Sequence, residues 1–113
     1  MTVTIYHNPR CNTSRKTLAL LERKGVNPRV VEYLKTPPSA AELKQLLAKL
    51  GLRPRELLRK KEAKEAGLDK PALSDAQLIA GMVKHPIAIE RPIVVNGARA
   101  ALGRPPEAVL KIL

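Results

Sequence analysis

The chain has one cysteine, no tryptophan, no phenylalanine and only two tyrosines, Tyr6 and Tyr33, in 113 residues. A lone cysteine excludes an internal disulfide framework and agrees with a reducing compartment; any thiol redox chemistry must take its second sulfur from another molecule. So few aromatics leave almost no stacking platform, which single-stranded nucleic acid usually requires, so no nucleic-acid partner is expected. Negative charge is also scarce: ten Asp and Glu stand against 21 Lys and Arg, a formal net charge of +11 that suits small anions. There is no apolar run of membrane-spanning length, and the start Thr2-Val3-Thr4-Ile5 lacks a cationic leader and cleavage site. The reading is a cytoplasmic protein without a membrane partner. Two histidines and one cysteine offer no metal-ligand spacing, so no metal site is expected.

The length fits one domain, and no repeat, low-complexity tract or linker marks a boundary. Val3 and Ile5 alternate with polar residues as in a strand. Asn12 to Lys24 follows with Leu18 and Leu21 at helical spacing and Gly25 as a C-cap. Arg29 to Leu34 reads as a second strand. Pro37-Pro38-Ser39 then breaks the chain and caps a helix carrying Leu43, Leu46, Leu47 and Leu50, which Gly51 ends. A short helix is expected over Arg53 to Lys61, and another after Pro71 and Ser74, with Leu78, Ile79, Met82 and Val83 on its apolar face, stopped at His85-Pro86. Pro92 to Val95 reads as a strand, Asn96-Gly97 as a tight turn, Ala98 to Leu102 as the returning strand, and Pro105-Pro106 as the start of a final short helix. This order, β-α-β, helices, then β-β-α, is that of an α/β thioredoxin-like mixed sheet with a helical insertion at roughly residues 38–86 of a single domain 1–113.

Cys11 falls at the first strand-to-helix junction, in Tyr6-His7-Asn8-Pro9-Arg10-Cys11-Asn12-Thr13-Ser14-Arg15-Lys16. A helix N-terminus and nearby cations both favour the thiolate. Free cysteines are more commonly small buried hydrophobes, but these polar, basic neighbours argue against burial. Asn12, Thr13 and Ser14 can present side-chain oxygens or free backbone amides to an oxyanion beside the sulfur, or simply cap the helix. Thiolate phosphatases carry an arginine six positions after the cysteine, and here that position is Thr17. Cys-x-x-Cys is not met either, since Ser14 holds the resolving position; monothiol chemistry remains.

Arg91-Pro92 precedes the third strand, where thioredoxin-like proteins commonly place a cis-proline, and Arg104 can return to the same end of the sheet. A single arginine is more commonly a surface charge. His7, four residues before Cys11, is a candidate to tune the thiolate or orient it through Asn8. His85 is better placed as a favourable charge at a helix C-terminus.

Tyr6 to Arg15, together with Leu57-Leu58-Arg59-Lys60, His85-Pro86-Ile87, Glu90-Arg91-Pro92-Ile93-Val94-Val95 and Gly103-Arg104-Pro105-Pro106-Glu107, resembles the glutaredoxin-coupled arsenate reductase (ArsC) family over nearly the whole chain. The likeness is to its short members, since the best-studied type carries a longer C-terminal tail. The resemblance implies Cys11 as the nucleophile on arsenate and Arg59, Arg91 and Arg104 as oxyanion holders. It further implies His7 as a residue that lowers the thiol pKa and Ser14 as a hydrogen-bonding partner near the sulfur. It also implies no bound cofactor, glutathione as co-substrate and glutaredoxin as electron-donor partner.

Two other functions fit parts of the pattern. Spx-like transcriptional regulators bind RNA polymerase with a related fold, but typically carry a Cys-x-x-Cys switch, whereas this chain has Ser14 and all three arginines. A monothiol oxidoreductase of glutathione mixed disulfides would use the arginines on glutathione carboxylates and turn over without arsenate.

Overall fold

Val3 and Ile5 bury one face of strand β1 (Val3–His7) in the computed structural model, which describes residues 2–113. Helix α1 (Asn12–Arg23) follows, burying Ser14, Thr17, Leu20 and Leu21. Strand β2 (Arg29–Glu32) runs parallel to β1, with His7 in register with Glu32. The expected continuation to Leu34 is not strand: the chain turns after Glu32, whose carbonyl accepts from the amides of Lys35 and Thr36, and Leu34 is exposed.

Strands β3 (Ile93–Asn96) and β4 (Arg99–Leu102) are antiparallel neighbours, and β3 also pairs antiparallel with β1. The mixed sheet has the order β2-β1-β3-β4. Asn96 pairs with Arg99, so the turn is Gly97-Ala98 rather than Asn96-Gly97. Gly97 has φ +62°, the left-handed value that a type II′ hairpin needs at its first central residue. After Pro105 the chain forms a 3₁₀ helix over Pro106–Ile112 instead of an α-helix. Val3, Ile5, Leu20, Leu21, Val94, Ala101, Val109 and Ile112 form one core between sheet, α1 and this last turn, each large member contributing about 1.5–3 kcal/mol by leaving water.

Two compact units result: the chain up to Thr36 with Arg91–Leu113, which holds the sheet, and Pro37–Glu90, which is helical. In the helical unit, α2 (Ala40–Leu50) and α4 (Asp75–Lys84) begin with reciprocal capping boxes, Ser39 with Glu42 and Ser74 with Gln77. The helix expected over Arg53–Lys61 is not continuous. Pro54–Leu57 is a 3₁₀ turn, Leu58 is extended and bridges Ile89, and α3 (Lys60–Glu65) starts only after Arg59. The bridge is closed by Arg59 N donating to Ala88 O at 2.8 Å and Glu90 N to Leu57 O at 2.7 Å, a long-range pairing that outcompetes local helix. Leu58 packs with Ala63, Leu68, Leu78 and Ala88 in this unit's own core.

Candidate active site

The loop from β1 to α1 is fixed by its own polar groups. Asn8 is buried; its carbonyl accepts from Cys11 N and its Oδ1 from Arg10 N, both at 3.0 Å. Cys11 thereby becomes the N-cap of α1, with extended backbone and no side-chain capping bond. Neither Thr13 nor Ser14 caps the helix, as plain capping would have required.

Cys11 is half-buried. Burial pushes its thiol upward, but the Ser14 amide, the hydrogen bond and charge of Arg91, and the Thr13 amide together hold it below the ordinary value. The arginines that reach the sulfur come from the far end of the chain. Arg10 is exposed, and Arg15 turns away to donate to Pro9 O at 2.8 Å. Arg91, only 8% exposed, hydrogen-bonds the sulfur, and Arg104 Nη2 stands 3.8 Å from Sγ.

Both arginines are carried by a short crossing of two loops. The Arg91–Pro92 and Arg104–Pro105 peptide bonds are both cis. Gly103 N donates to Pro92 O at 2.9 Å, and Arg104 Nε donates to Arg91 O at 2.8 Å. Gly103 is required by close approach: a Cβ there would stand 2.6 Å from Thr17 Oγ1 and 2.8 Å from Pro92 Cγ. Thr17 donates to Thr13 O at 2.8 Å and lies 3.5 Å from Gly103 O, seating the arginine loops on the first turn of α1. Sequence reasoning passed over Gly103 and treated Thr17 only as a missing arginine; its one available signal was a glycine immediately before a motif arginine.

Ser14 gives the sulfur its amide, while its hydroxyl goes elsewhere: Oγ accepts from Asn8 N at 3.1 Å and lies 2.6 Å from His7 Nδ1. His7 is thus linked to the Cys11 loop through Ser14. Burial lowers the His7 pKa, the Glu32 carboxylate opposes that shift and Arg15 adds to it, so the imidazole is neutral at pH 7. Arg59 belongs to the helical unit, where Nε is 3.3 Å from Glu62 and Nη1 3.1 Å from Glu90. Among the described residues no group of three or more His, Cys, Asp or Glu could hold a metal ion, and no helix is long and apolar enough to cross a membrane.

A mixed sheet with one cysteine at the start of its first helix, and a cis-proline leading into the strand that follows the helical unit, defines a thioredoxin-like α/β protein. The chain belongs to the ArsC family, whose pattern matches residues 6–112. It is 52% identical to an arsenate reductase of Rhizobium meliloti (strain 1021), covering 100% of this chain and 82% of that one. It is 54% identical to the uncharacterized protein YfgD of Escherichia coli (strain K12), covering 98% and 96% of the two chains. The structure of an arsenate reductase from Vibrio cholerae matches 100% of this chain, and 98% of its own, with TM-score 0.96 and 54% identity.

Proposed function

We propose that this chain reduces arsenate to arsenite, with Cys11 as nucleophile, glutathione as the second thiol and glutaredoxin restoring the free cysteine. The observation that carries the reading is the Cys11 sulfur, favoured as thiolate at a helix N-terminus, with Arg104 Nη2 3.8 Å away and Arg91 hydrogen-bonded to it. The relatives named arsenate reductase support the choice of oxyanion.

In the first step the Cys11 thiolate attacks arsenic and one oxygen leaves as water, giving a sulfur–arsenic(V) adduct. Glutathione thiolate then attacks the Cys11 sulfur. The pair of the breaking S–As bond stays on arsenic, which departs as arsenite, and a Cys11–glutathione disulfide forms. Each sulfur gives up one electron and arsenic gains two. Glutaredoxin removes the glutathione by disulfide exchange. Arg91 and Arg104 neutralise the oxyanion and the charge that develops on it. The motif match assigns Arg59 to the same task, and His7 and Ser14 support the thiolate by fixing the loop that carries it. We read residues 1–113 as one domain with a helical insertion, working in a reducing cytoplasm.

Arsenate-dependent NADPH oxidation, coupled through glutathione, glutaredoxin and glutathione reductase, tests the proposal, with Cys11→Ser as control. Turnover that vanishes in the control is the expected result. Folded, reduced wild-type protein without arsenate turnover would overturn it. Turnover of a glutathione mixed disulfide in the same assay without arsenate would point to the general monothiol reaction instead.

A further inference from the structure

Arg59 stands between two carboxylates. Its Nε donates to Glu62 Oε1 at 3.3 Å and its Nη1 to Glu90 Oε1 at 3.1 Å. The three side chains are partly buried, at 24%, 16% and 24% exposure, so solvent screens their charges less than it would at an open surface. The main chain fixes the same arrangement. Arg59 is the N-cap of α3 and Glu62 lies in the first turn of that helix. Glu90 is brought opposite by the bridge from Leu58 to Ile89, which Arg59 N closes on Ala88 O and Glu90 N on Leu57 O. All of these residues lie within the helical unit.

One guanidinium between two carboxylates carries a net negative charge, the reverse of what an arginine offers an oxyanion on its own. An incoming oxyanion must compete with Glu62 and Glu90 for the N–H groups of Arg59. That matters because phosphate has the shape and charge of arsenate, so any grip on the resting oxyanion is shared by both. Only bond formation from the Cys11 sulfur to the central atom tells them apart, since arsenic exchanges oxygen for sulfur readily and phosphorus does not. Binding energy common to both raises occupancy by the competitor without raising the rate of reduction.

We propose that Glu62 and Glu90 are specificity-determining residues: they weaken the hold of Arg59 on resting oxyanions, so phosphate does not fill the site and arsenate is selected by its reaction at the sulfur. The inference rests on the reading of Arg59 as an oxyanion holder. It makes the two carboxylates antagonists of oxyanion binding rather than supports for Arg59. The neutral isostere separates those roles, because Glu90→Gln keeps an acceptor for Nη1 and removes the charge.

Cys11 is the only cysteine, so alkylation by iodoacetamide reads this site alone. Phosphate is titrated against the alkylation rate at fixed pH and ionic strength, and the concentration giving half protection is compared among variants whose melting curves show them folded. Glu90→Gln should lower that concentration about threefold, the scale of one partly exposed ion pair. Glu62→Gln should do the same, and the double variant should lower it further. Glu65→Gln, which removes an exposed carboxylate one turn further along α3, should leave it unmoved. In the coupled assay Glu90→Gln should lower KM for arsenate without raising kcat. No protection in any variant, protection in the Gln variants equal to or weaker than wild type, or an equal shift in Glu65→Gln would overturn the inference. Arsenate turnover with unmoved phosphate protection removes it and keeps the reductase, whereas tightened protection in a chain that never reduces arsenate does the reverse.

Discussion

Arg104 Nη2 reaches to 3.8 Å from Cys11 Sγ across 93 positions of sequence, while its Nε is anchored 2.8 Å from the Arg91 carbonyl oxygen. The anchor is main chain, so the placement of Arg104 does not depend on the Arg91 side chain. The two arginines can therefore be separated by substitution.

Arg104→Ala removes an exposed side chain and should leave folding intact. The rate of arsenate reduction should fall about a hundredfold, the scale for losing one donor to a developing oxyanion. Near-wild-type kcat/KM would remove Arg104 from the site.

Arg91→Ala should act on the thiol itself. Arg91 lowers the Cys11 pKa by hydrogen bond and charge, against the upward push of burial, so its loss moves the pH dependence of alkylation by iodoacetamide to higher pH. Arg104→Ala, which removes a guanidinium 3.8 Å from the sulfur, should move the same profile upward by less. A profile unmoved in Arg91→Ala would assign the low pKa to the helix amides alone.

His7 makes stability fall in acid. Burial sets its folded pKa below 6.5, with Glu32 opposing and Arg15 assisting, so the unfolded chain binds the extra proton first. Its contribution is complete above pH 6.5 and is lost as pH drops through the folded value. Urea midpoints should decline over that window, less steeply in His7→Gln, and the decline should continue to lower pH in Glu32→Gln, which removes the group that eases protonation. Parallel curves for wild type and His7→Gln would contradict this.

Gly103→Ala should destabilise the sheet unit by about 1–3 kcal/mol, since its Cβ would meet Thr17 and Pro92 inside 3 Å. Thr17→Ala in the same chain should recover part of the loss, because it removes two of the three atoms in the way. A strictly additive double variant, measured by urea unfolding, would mean the strain is taken up at Pro92.

The candidate nucleophile was legible because its signals are local: a strand pattern, a helix start and one cysteine between them. The charges that tune it were not. Arg10, Arg15 and Lys16 are near in sequence, yet Arg91 tunes the thiol; the expected strand order brought Arg91 and Arg104 to one end of the sheet, and only the resemblance to a family gave them a role. Leu57-Leu58 read as helix because apolar spacing cannot register a bridge to Ile89, whose pairing is decided 31 residues away. Prolines at 105 and 106 marked a helix start correctly, but not that the chain would stay in the tighter 3₁₀ form. The hydroxyl of Ser14 illustrates the finer limit: its residue type fitted a partner of sulfur, and its rotamer serves His7 and Asn8 instead.

The start of α1 ties the charge of one side chain to the stability of the fold. Cys11 holds the N-cap position, and the Ser14 and Thr13 amides, which a capping hydroxyl would satisfy, are among the groups that hold its thiol below the ordinary value. A group whose pKa is lowered on folding contributes its stability where it is ionised, so wild-type protein should gain stability as pH rises through the thiol's titration, and Cys11→Ser should show no such gain.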